Sequence, residues 1–436
     1  MITYLVLGSC ILLLFCFFKT KDANVKVALL LGSLVLFSGG FSFIDHPKIS
    51  PMHVTLYPFL LYVYFANRNL FYEERSSYPL TVATVFLYVT FLISGALGEE
   101  GGIYGMYTAS RYFIDSYGFL IAAFIIGYRC DYQKISKFLY WPVMIFCGLE
   151  FLEAILEYNF VYSWLMEAFP DYWGILEKGK PEFNFFDSWR IRTSVTTMHP
   201  TTLGALLLTM FIFYFPQVNR KSHKSIAMLL VLLVALYLSG SRSSWVCCCI
   251  YLIYHYVKMS SAVVKGIIII ALASGVYYVG NAFVESFSEE GRGSSLDMRQ
   301  RNLLVCLFSF AESPIYGHGF NYIDNIIEKN DDGRAIDGSM ESVFFNLMVE
   351  QGLIGLIAYL FFAGLCYFHF RKLRKYDENV AEIGEGVTIC IVIFSLMSGT
   401  LGNLHSMAYI VQGMCLGILN GKLSEEKEDE LLEIEN

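Results

Sequence analysis

The chain of 436 residues is 56% hydrophobic and 16% charged, with a net charge of −8 and a mean hydropathy of +0.51. Soluble globular proteins carry about 25% charged residues. This composition therefore excludes a soluble globular domain and indicates an integral membrane protein. The eleven cysteines lie in or beside apolar segments, and their spacing shows neither a disulfide framework nor a zinc site.

Thirteen apolar segments are long enough to cross a hydrocarbon core of about 30 Å as helices. Their approximate ranges are 2–18, 25–45, 51–66, 78–98, 110–129, 138–156, 199–216, 225–240, 243–257, 262–283, 343–370, 386–402 and 404–420. The first segment lacks a basic start and a small-residue cleavage site, so we expect a retained helix rather than a signal peptide. The predicted fold class is an all-α, polytopic integral membrane protein with about 11–13 transmembrane helices, forming one transmembrane domain over residues 1–436.

Basic residues between these segments follow a regular pattern, in which every second connection is basic. The residues concerned are Lys19, Lys21, Lys26, Arg68, Arg75, Arg129, Lys134, Lys137, Arg220, Lys221, Lys224, Lys258, Lys265, Arg371, Lys372, Arg374, Lys375, Lys422 and Lys427. The positive-inside rule places them in the cytoplasm, together with the acidic tail 421–436. The N-terminus and two long polar loops, 157–198 and 284–341, are then predicted to lie outside.

Inner and outer connections differ in the basic residue that they favour. The inner connections have thirteen Lys and six Arg, whereas the outer connections and their flanks have four Lys and eight Arg. Lysine is sufficient as a topological anchor, but the planar arginine fork suits bidentate binding of phosphate or carboxylate. The outer arginines are therefore candidates for holding an anion, and a lipid-linked phosphate is the anion expected at this face.

Both outer loops are predicted to carry surface helices. Aromatic residues recur through 160–176, which favours helices in the membrane interface; an aromatic belt without a substrate role is the alternative. In the second loop, a glycine-containing link precedes a helix predicted from Leu296 to Ala311, which Pro314 ends. This helix is either a lid against the membrane domain or a plain surface helix.

Four polar motifs occur in order between residues 190 and 360. They are RTSVTTMHP with Arg192, His199 and Pro200; SGSRSSW with Arg242; a segment from Arg299 to PIYGHGF with Pro314, Gly317 and Gly319; and ESVFFNLMVEQGLIG from Glu341 to Gly355. This arrangement resembles the O-antigen polymerase and O-antigen ligase superfamily of bacterial envelope glycosyltransferases. The resemblance covers roughly residues 190–360, and the many-helix topology with large outer loops fits it over the whole chain.

The chain departs from the family pattern at three positions. A family glycine in the first motif is Val195 here, and a usual tryptophan in the third motif is Leu303. The fourth motif keeps the glycine spacing of the ligase branch, but Glu341 stands where that branch has histidine. The resemblance therefore favours a polymerase over a ligase.

The resemblance implies a sugar donor that arrives already activated, because nucleotide sugars stay in the cytoplasm. Negative charge builds on the leaving pyrophosphate as the glycosidic bond breaks, and fixed guanidinium groups can stabilise that charge without a metal or cofactor. The candidates for binding pyrophosphate are Arg192, Arg242 and Arg299, with Arg301 and Arg190 in reserve. A metal-dependent enzyme that uses Glu285, Glu289, Glu290 and Asp297 is the alternative.

A general base is also expected, because the attacking sugar hydroxyl is a weak nucleophile. Glu341, at the membrane boundary before an apolar helix, is the first catalytic candidate. A glutamate carboxyl has a reference pKa of about 4.3, so this role requires partial burial to raise the pKa. His199 is the second catalytic candidate.

Each candidate also has a purely structural interpretation. Arg242 can snorkel to lipid head groups, and Arg299 and Arg301 can form a solvated helix face. His199 can cap a helix, and Glu341 can pair with a neighbouring arginine. The glycines of the fourth motif are better explained by helix packing than by catalysis.

The function implied by the resemblance is that of a polymerase of a bacterial surface polysaccharide, of O-antigen or capsule type. Such an enzyme transfers a growing glycan from polyprenyl pyrophosphate to a sugar hydroxyl of the next lipid-linked repeat unit, at the outer face of the cytoplasmic (inner) membrane. Its expected partners are those repeat units, membrane lipid and a chain-length regulator protein, and not nucleic acid. The alternatives are a ligase of the same superfamily and a lipid-linked oligosaccharide flippase, although the chain lacks the paired halves of many transporters.

Overall fold

A computed structural model describes residues 2–36, 51–66, 78–98, 101–161, 163, 185–187, 190–197, 199–217, 223–259, 295–323, 342–398 and 403–435. Fourteen α-helices, a π-helical turn, a 3₁₀ turn and one β-hairpin form the regular structure of these residues. The helices are α1 (Ile2–Lys19), α2 (Ala23–Leu36), α3 (Pro51–Ala66), α4 (Thr81–Leu97), α5 (Gly102–Phe113), α6 (Phe119–Gly127), α7 (Tyr132–Leu156), α8 (Pro200–Tyr214), α9 (His223–Leu238), α10 (Arg242–Met259), α11 (Ser295–Glu312), α12 (Val343–Leu373), α13 (Glu378–Met397) and α14 (Asn403–Glu435). The strands β1 (Phe185–Asp187) and β2 (Arg190–Arg192) pair antiparallel.

The helices follow the apolar segments of the sequence. Four helical stretches of the described residues are long and apolar enough to cross a membrane: Gly102–Gly127, Tyr132–Leu156, Val343–Leu373 and Glu378–Met397. Shorter apolar helices accompany them, which confirms an all-α polytopic membrane protein. The full number of transmembrane helices stays a prediction.

The helix predicted in the second polar loop is confirmed, since α11 runs over Ser295–Glu312. Two other predicted features, the apolar segment 262–283 and most of the aromatic stretch 160–176, lie outside the described residues. The hairpin β1–β2 is not predicted by the sequence, because its strands are only three residues each and fall below the length that an alternating pattern needs.

One membrane helix begins earlier in the structure than hydropathy predicts. Hydropathy places it at 110–129, but the helical stretch begins at Gly102 and passes through a π-helical turn, Ile114–Gly118, that joins α5 to α6. Gly105 of α5 lies so close to Gly95 of α4 that a Cβ on Gly105 would come within 2.1 Å of the Gly95 carbonyl oxygen. Small residues let two membrane helices approach closely, so packing extends the helix into a stretch of low hydropathy.

The long helix α12 is broken at Gly352, which has φ 66° and ψ −161°. The chain that follows α11 supplies the missing partners on both sides of the break. The amides of His318 and Gly319 donate to the carbonyls of Val349 and Glu350 at 2.8 and 3.0 Å. On the other side, the amide of Leu353 donates to the carbonyl of Pro314 at 2.9 Å and that of Ile354 to Ile315 at 3.4 Å. The third and fourth sequence motifs therefore form one hydrogen-bonded unit.

The C-terminal end of α4 completes this unit. The Ser94 hydroxyl donates to the Glu350 carbonyl at 2.9 Å, and the Ser94 carbonyl accepts from the Phe320 amide at 2.9 Å. Thr90 donates to the side-chain carbonyl of Gln351 at 3.0 Å. Backbone groups exposed by a helix break in a membrane protein need such internal partners, and here the protein supplies them.

Buried ion pairs join α10, α12 and α13 at the end of the bundle that carries the basic connections. Arg374 lies between two carboxylates, with Nη1 3.2 Å from Glu385 and Nη2 3.4 Å from Glu382. From α10, His255 Nδ1 contacts Glu382 and Lys258 lies 3.4 Å from Glu385. Because both carboxylates are buried, these partners offset the cost of removing them from water.

Gly352→Ala is expected to destabilise the protein. A Cβ at this position would lie 2.4 Å from the Ile315 carbonyl oxygen, and the positive φ disfavours any side chain. Gly364→Ala in the same helix is the matched control, because a Cβ there meets nothing within 4 Å. We expect the free energy of unfolding, measured by denaturant titration in detergent, to fall by at least about 2 kcal/mol for Gly352→Ala and not for the control. Equal stability of the two variants would contradict the break at Gly352.

Candidate functional site

The residues predicted to form the site occupy several parts of the structure. Arg190 and Arg192 lie in β2, His199 precedes α8, Arg242 begins α10, and Arg299 and Arg301 lie in α11. Glu341 lies outside the described residues, next to Ser342, which caps α12. The structure brings the first and second motifs together around Arg192, whereas the described packing of α11 is against α12.

The segment that follows Arg192 is held by a carboxylate from α7. Glu153 accepts a hydrogen bond from the amide of Ser194 through Oε1 at 3.0 Å and from the amide of Val195 through Oε2 at 2.7 Å. Glu153 is only 1% exposed, so water cannot replace it as the acceptor. This pair of hydrogen bonds fixes the turn between β2 and α8.

A second carboxylate of α7 lies beside the first. Glu150 is fully buried and accepts a hydrogen bond from the Thr193 hydroxyl through Oε1 at 2.7 Å. Its Oε2 atom has no hydrogen-bond partner among the described residues. The side-chain amide of Asn159 donates to the Ser194 hydroxyl at 2.8 Å, which closes the network around the turn.

Val195 stands where the resemblance places a glycine. Its φ is 47°, in the left-handed region that β-branched residues rarely adopt. The backbone here therefore keeps the conformation that glycine favours although the side chain is valine. The Glu153 hydrogen bond to the Val195 amide helps to hold this strained residue in place.

His199 is the N-cap of α8, which confirms its helix-capping interpretation. Its Nδ1 atom accepts a hydrogen bond from the Thr201 amide at 3.1 Å, and Pro200 occupies the first helical position, where its missing amide donor costs nothing. An imidazole nitrogen that accepts a hydrogen bond carries no proton, so the proton of the neutral ring lies on Nε2. His199 could act as a base at Nδ1 only after this cap is broken.

Gly240 brings the second motif into contact with the first. Gly240 has φ 62°, and a Cβ there would lie 2.8 Å from Cγ and 2.9 Å from Nε of Arg192. The Thr193 amide also donates to the Leu238 carbonyl at 3.3 Å. The Arg192 side chain thus lies across a glycine that is separated from Arg242 by a single residue.

The start of α10 is fixed by serines and by a second glycine contact. The Ser241 and Ser244 hydroxyls are 2.7 Å apart, and the Ser244 amide donates to the Ser241 hydroxyl at 3.4 Å. A Cβ on Gly204 of α8 would lie 2.4 Å from Cβ of Ser241, so only glycine allows this approach. The approach holds the first turn of α10 against α8, and Arg242 is its first residue.

Arg242 is exposed at the N-terminus of α10. A cation at this end opposes the helix dipole, so helix stability does not account for an arginine here. Helix N-termini favour anions, and a guanidinium group adds a bidentate donor for phosphate oxygens. Arg192 lies across Gly240, two positions before Arg242, so two cationic residues of the sequence motifs belong to this end of the bundle.

Glu150 and Glu153 hold the segment after Arg192, and the sequence assigns them no role. The sequence does contain a pattern that could have indicated them. Two glutamates three positions apart share one face of a helix, and ionisable residues inside a membrane segment are costly unless they are paired. Their partners, Thr193 to Val195, are about 40 positions away, so the sequence does not reveal what they hold. Among the described residues, no group of three or more His, Cys, Asp or Glu side chains is arranged to hold a metal ion.

Comparison with known proteins is consistent with the resemblance seen in the motifs. Residues 226–360 match the family model described as O-antigen ligase, which agrees with the resemblance to this superfamily and supports a membrane enzyme of glycosyltransferase type. The match includes Arg242, Arg299, Arg301 and Glu341 but not the first motif, and it does not separate polymerases from ligases. No curated protein matches the chain.

Val195→Gly is expected to be more stable than Val195→Ala. Glycine is ordinarily about 0.5–1 kcal/mol less stable than alanine in regular structure, but at the φ of Val195 alanine keeps the strain and glycine removes it. Both variants lose the buried valine methyl groups. The difference between their stabilities therefore reports the conformational strain of the backbone at residue 195. Thermal unfolding in detergent measures the stability of each variant. An alanine variant more stable than the glycine variant would contradict the left-handed conformation.

Proposed function

We propose that this protein is a polymerase of a bacterial surface polysaccharide. It transfers a growing glycan from polyprenyl pyrophosphate to a sugar hydroxyl of the next lipid-linked repeat unit, at the outer face of the cytoplasmic membrane. The observation that carries this proposal is the contact of the Arg192 side chain with Gly240, two positions before Arg242, which supports a joint role for arginines from two separate motifs.

Arg192 and Arg242 are assigned to the pyrophosphate of the donor lipid. As the acceptor hydroxyl attacks the anomeric carbon, the bond from that carbon to the pyrophosphate oxygen breaks and the leaving group gains negative charge. Guanidinium groups that are already in position stabilise this charge without reorganisation. Arg192 is pre-positioned by Gly240 and by the turn that Glu153 holds, and Arg242 by the capped start of α10.

Glu341 is assigned the role of general base, which receives the proton of the attacking hydroxyl. The next residue, Ser342, is buried and donates to the Ser395 carbonyl at 3.2 Å, so the chain is anchored directly after Glu341. The alternative base, His199, uses its Nδ1 lone pair in the α8 cap. Because this nitrogen already accepts a hydrogen bond, Glu341 is the preferred candidate for the general base. Arg299, Arg301 and Arg190 are kept as further pyrophosphate candidates.

An O-antigen ligase is the second candidate function, because the matching family model carries that description. A ligase hands the finished glycan to a different acceptor, such as a lipid core. The presence of Glu341 in place of the histidine of the ligase branch favours the polymerase. The two functions differ in the acceptor, so supplying only lipid-linked repeat units distinguishes them.

Arg242→Ala is expected to reduce polymerisation by about 100-fold, the scale for loss of one group that stabilises transition-state charge. The purified protein in nanodiscs receives lipid-pyrophosphate-linked repeat units, and the product ladder is measured on a gel. Arg371→Ala is the matched control, because Arg371 is an exposed arginine at the opposite end of the bundle, 3.5 Å from the Tyr367 hydroxyl. A ladder of normal intensity from Arg242→Ala would overturn the assignment. No ladder from folded wild type would overturn the polymerase.

Glu341→Gln is expected to lower the rate of chain extension by about 10²–10⁴-fold, the usual contribution of a general base. Glutamine keeps the size of the side chain and removes the proton acceptor. His199→Asn is the comparison, because asparagine also caps helices and should leave most of the activity in place. Loss of activity in His199→Asn with full activity in Glu341→Gln would transfer the base role to His199.

A further inference from the structure

A cavity of about 780 Å³ lies at the opposite end of the bundle from Arg192 and Arg242. It is lined by the beginning of α7, the turn after α8, the beginning of α9 and Asn379 at the beginning of α13. Lys137 in its wall is sixteen positions before Glu153 on α7, which corresponds to roughly 24 Å along a helix. The cavity is therefore separate from the proposed active site, and its volume is that of a small-ligand pocket.

The polar lining of the cavity suits an anion. Lys137 and Lys224 contribute two positive charges, and none of the described residues in the lining is acidic. The side-chain amide of Gln217 also lines the cavity, and its N–H groups are hydrogen-bond donors. A phosphate oxygen in the cavity is an acceptor that suits both the ammonium groups and the amide.

The aromatic residues place the cavity at the level of the lipid head groups. Tyr140 and Trp141 line it and pack edge to face, with ring centroids 5.5 Å apart. Trp141 is 68% exposed, so its ring faces outward from the bundle. Tryptophan and tyrosine at the ends of membrane helices mark the boundary between lipid and water.

An apolar stripe leads away from the cavity along the outer face of α7. Phe138, Trp141 and Ile145 follow at helical spacing and are 48%, 68% and 60% exposed. Such a stripe is where acyl chains lie against a membrane helix, and it begins directly beside Lys137. The cavity thus combines a cationic pocket for a head group with an apolar surface for its chains.

We propose that this cavity binds the head group of an anionic phospholipid from the membrane leaflet on the side of the basic connections. The phosphate lies between the ammonium groups of Lys137 and Lys224, with the Gln217 amide as a further donor. The acyl chains follow the stripe of α7. Basic pockets between helices at this level are suited to acidic head groups, and the bound lipid would hold the ends of α7, α8 and α9 together.

The test compares retention of phosphatidylglycerol and phosphatidylcholine by the purified full-length protein, measured by native mass spectrometry. Wild type is expected to retain phosphatidylglycerol with about tenfold preference or more. The double variant Lys137→Gln with Lys224→Gln is expected to lose that preference, and Lys137→Arg with Lys224→Arg to keep it. Gel filtration of each variant establishes that it is folded.

The matched control is Lys134→Gln with Lys372→Gln, which removes the same charge from exposed lysines near the same end that do not line the cavity. Its preference for phosphatidylglycerol is expected to equal that of wild type. An equal loss in the control would show general surface attraction and overturn the site. Unchanged preference in the Lys137 and Lys224 double variant would also overturn it. Displacement of the lipid by equimolar glycerol phosphate would overturn the lipid site and indicate a site for a soluble phosphate instead.

Discussion

The hydrogen bonds from the Ser194 and Val195 amides to the Glu153 carboxylate are the contact on which the candidate site depends. After β2 the chain turns into α8, and the turn presents two neighbouring amides to the interior. A buried amide without a partner costs several kcal/mol in a medium that lacks water. A carboxylate has two oxygens and can accept from both amides at once. Because this turn is fixed, the Arg192 side chain lies across Gly240, next to the start of α10.

The same constraint accounts for the break in α12. Gly352 interrupts the helix, and the amides and carbonyls of residues 314–319 take over the backbone hydrogen bonds on both sides. Gly317, Gly319 and Gly352 therefore shape the backbone, since a Cβ on any of them would approach neighbouring backbone within 2.4 Å or less. The last two sequence motifs have this structural role, while the first two meet where Arg192 lies across Gly240.

The two ends of the bundle use charge in different ways. At the basic end, Arg374 is held by the buried carboxylates Glu382 and Glu385, so this arginine joins helices. At the other end, Arg242 is exposed on the unfavourable side of a helix dipole. The excess of arginine over lysine in the outer connections thus coincides with the end of the bundle where Arg192 lies across Gly240 and Arg242 begins α10.

The sequence by itself determined the membrane class, most helix positions and the bounds of α11, because hydropathy and helix-ending residues are local properties of the chain. It also indicated Arg192 and Arg242 as candidates, since both lie in motifs that resemble those of a known superfamily. Only the tertiary structure decided what Glu153 and Glu150 hold, where α12 breaks, why the stretch from Gly102 is helical and that Arg192 lies on Gly240. Each of these depends on a contact between segments far apart in the chain. The partners in such contacts are selected by helix packing and by the need to satisfy buried polar groups, and neither leaves a local pattern in the sequence.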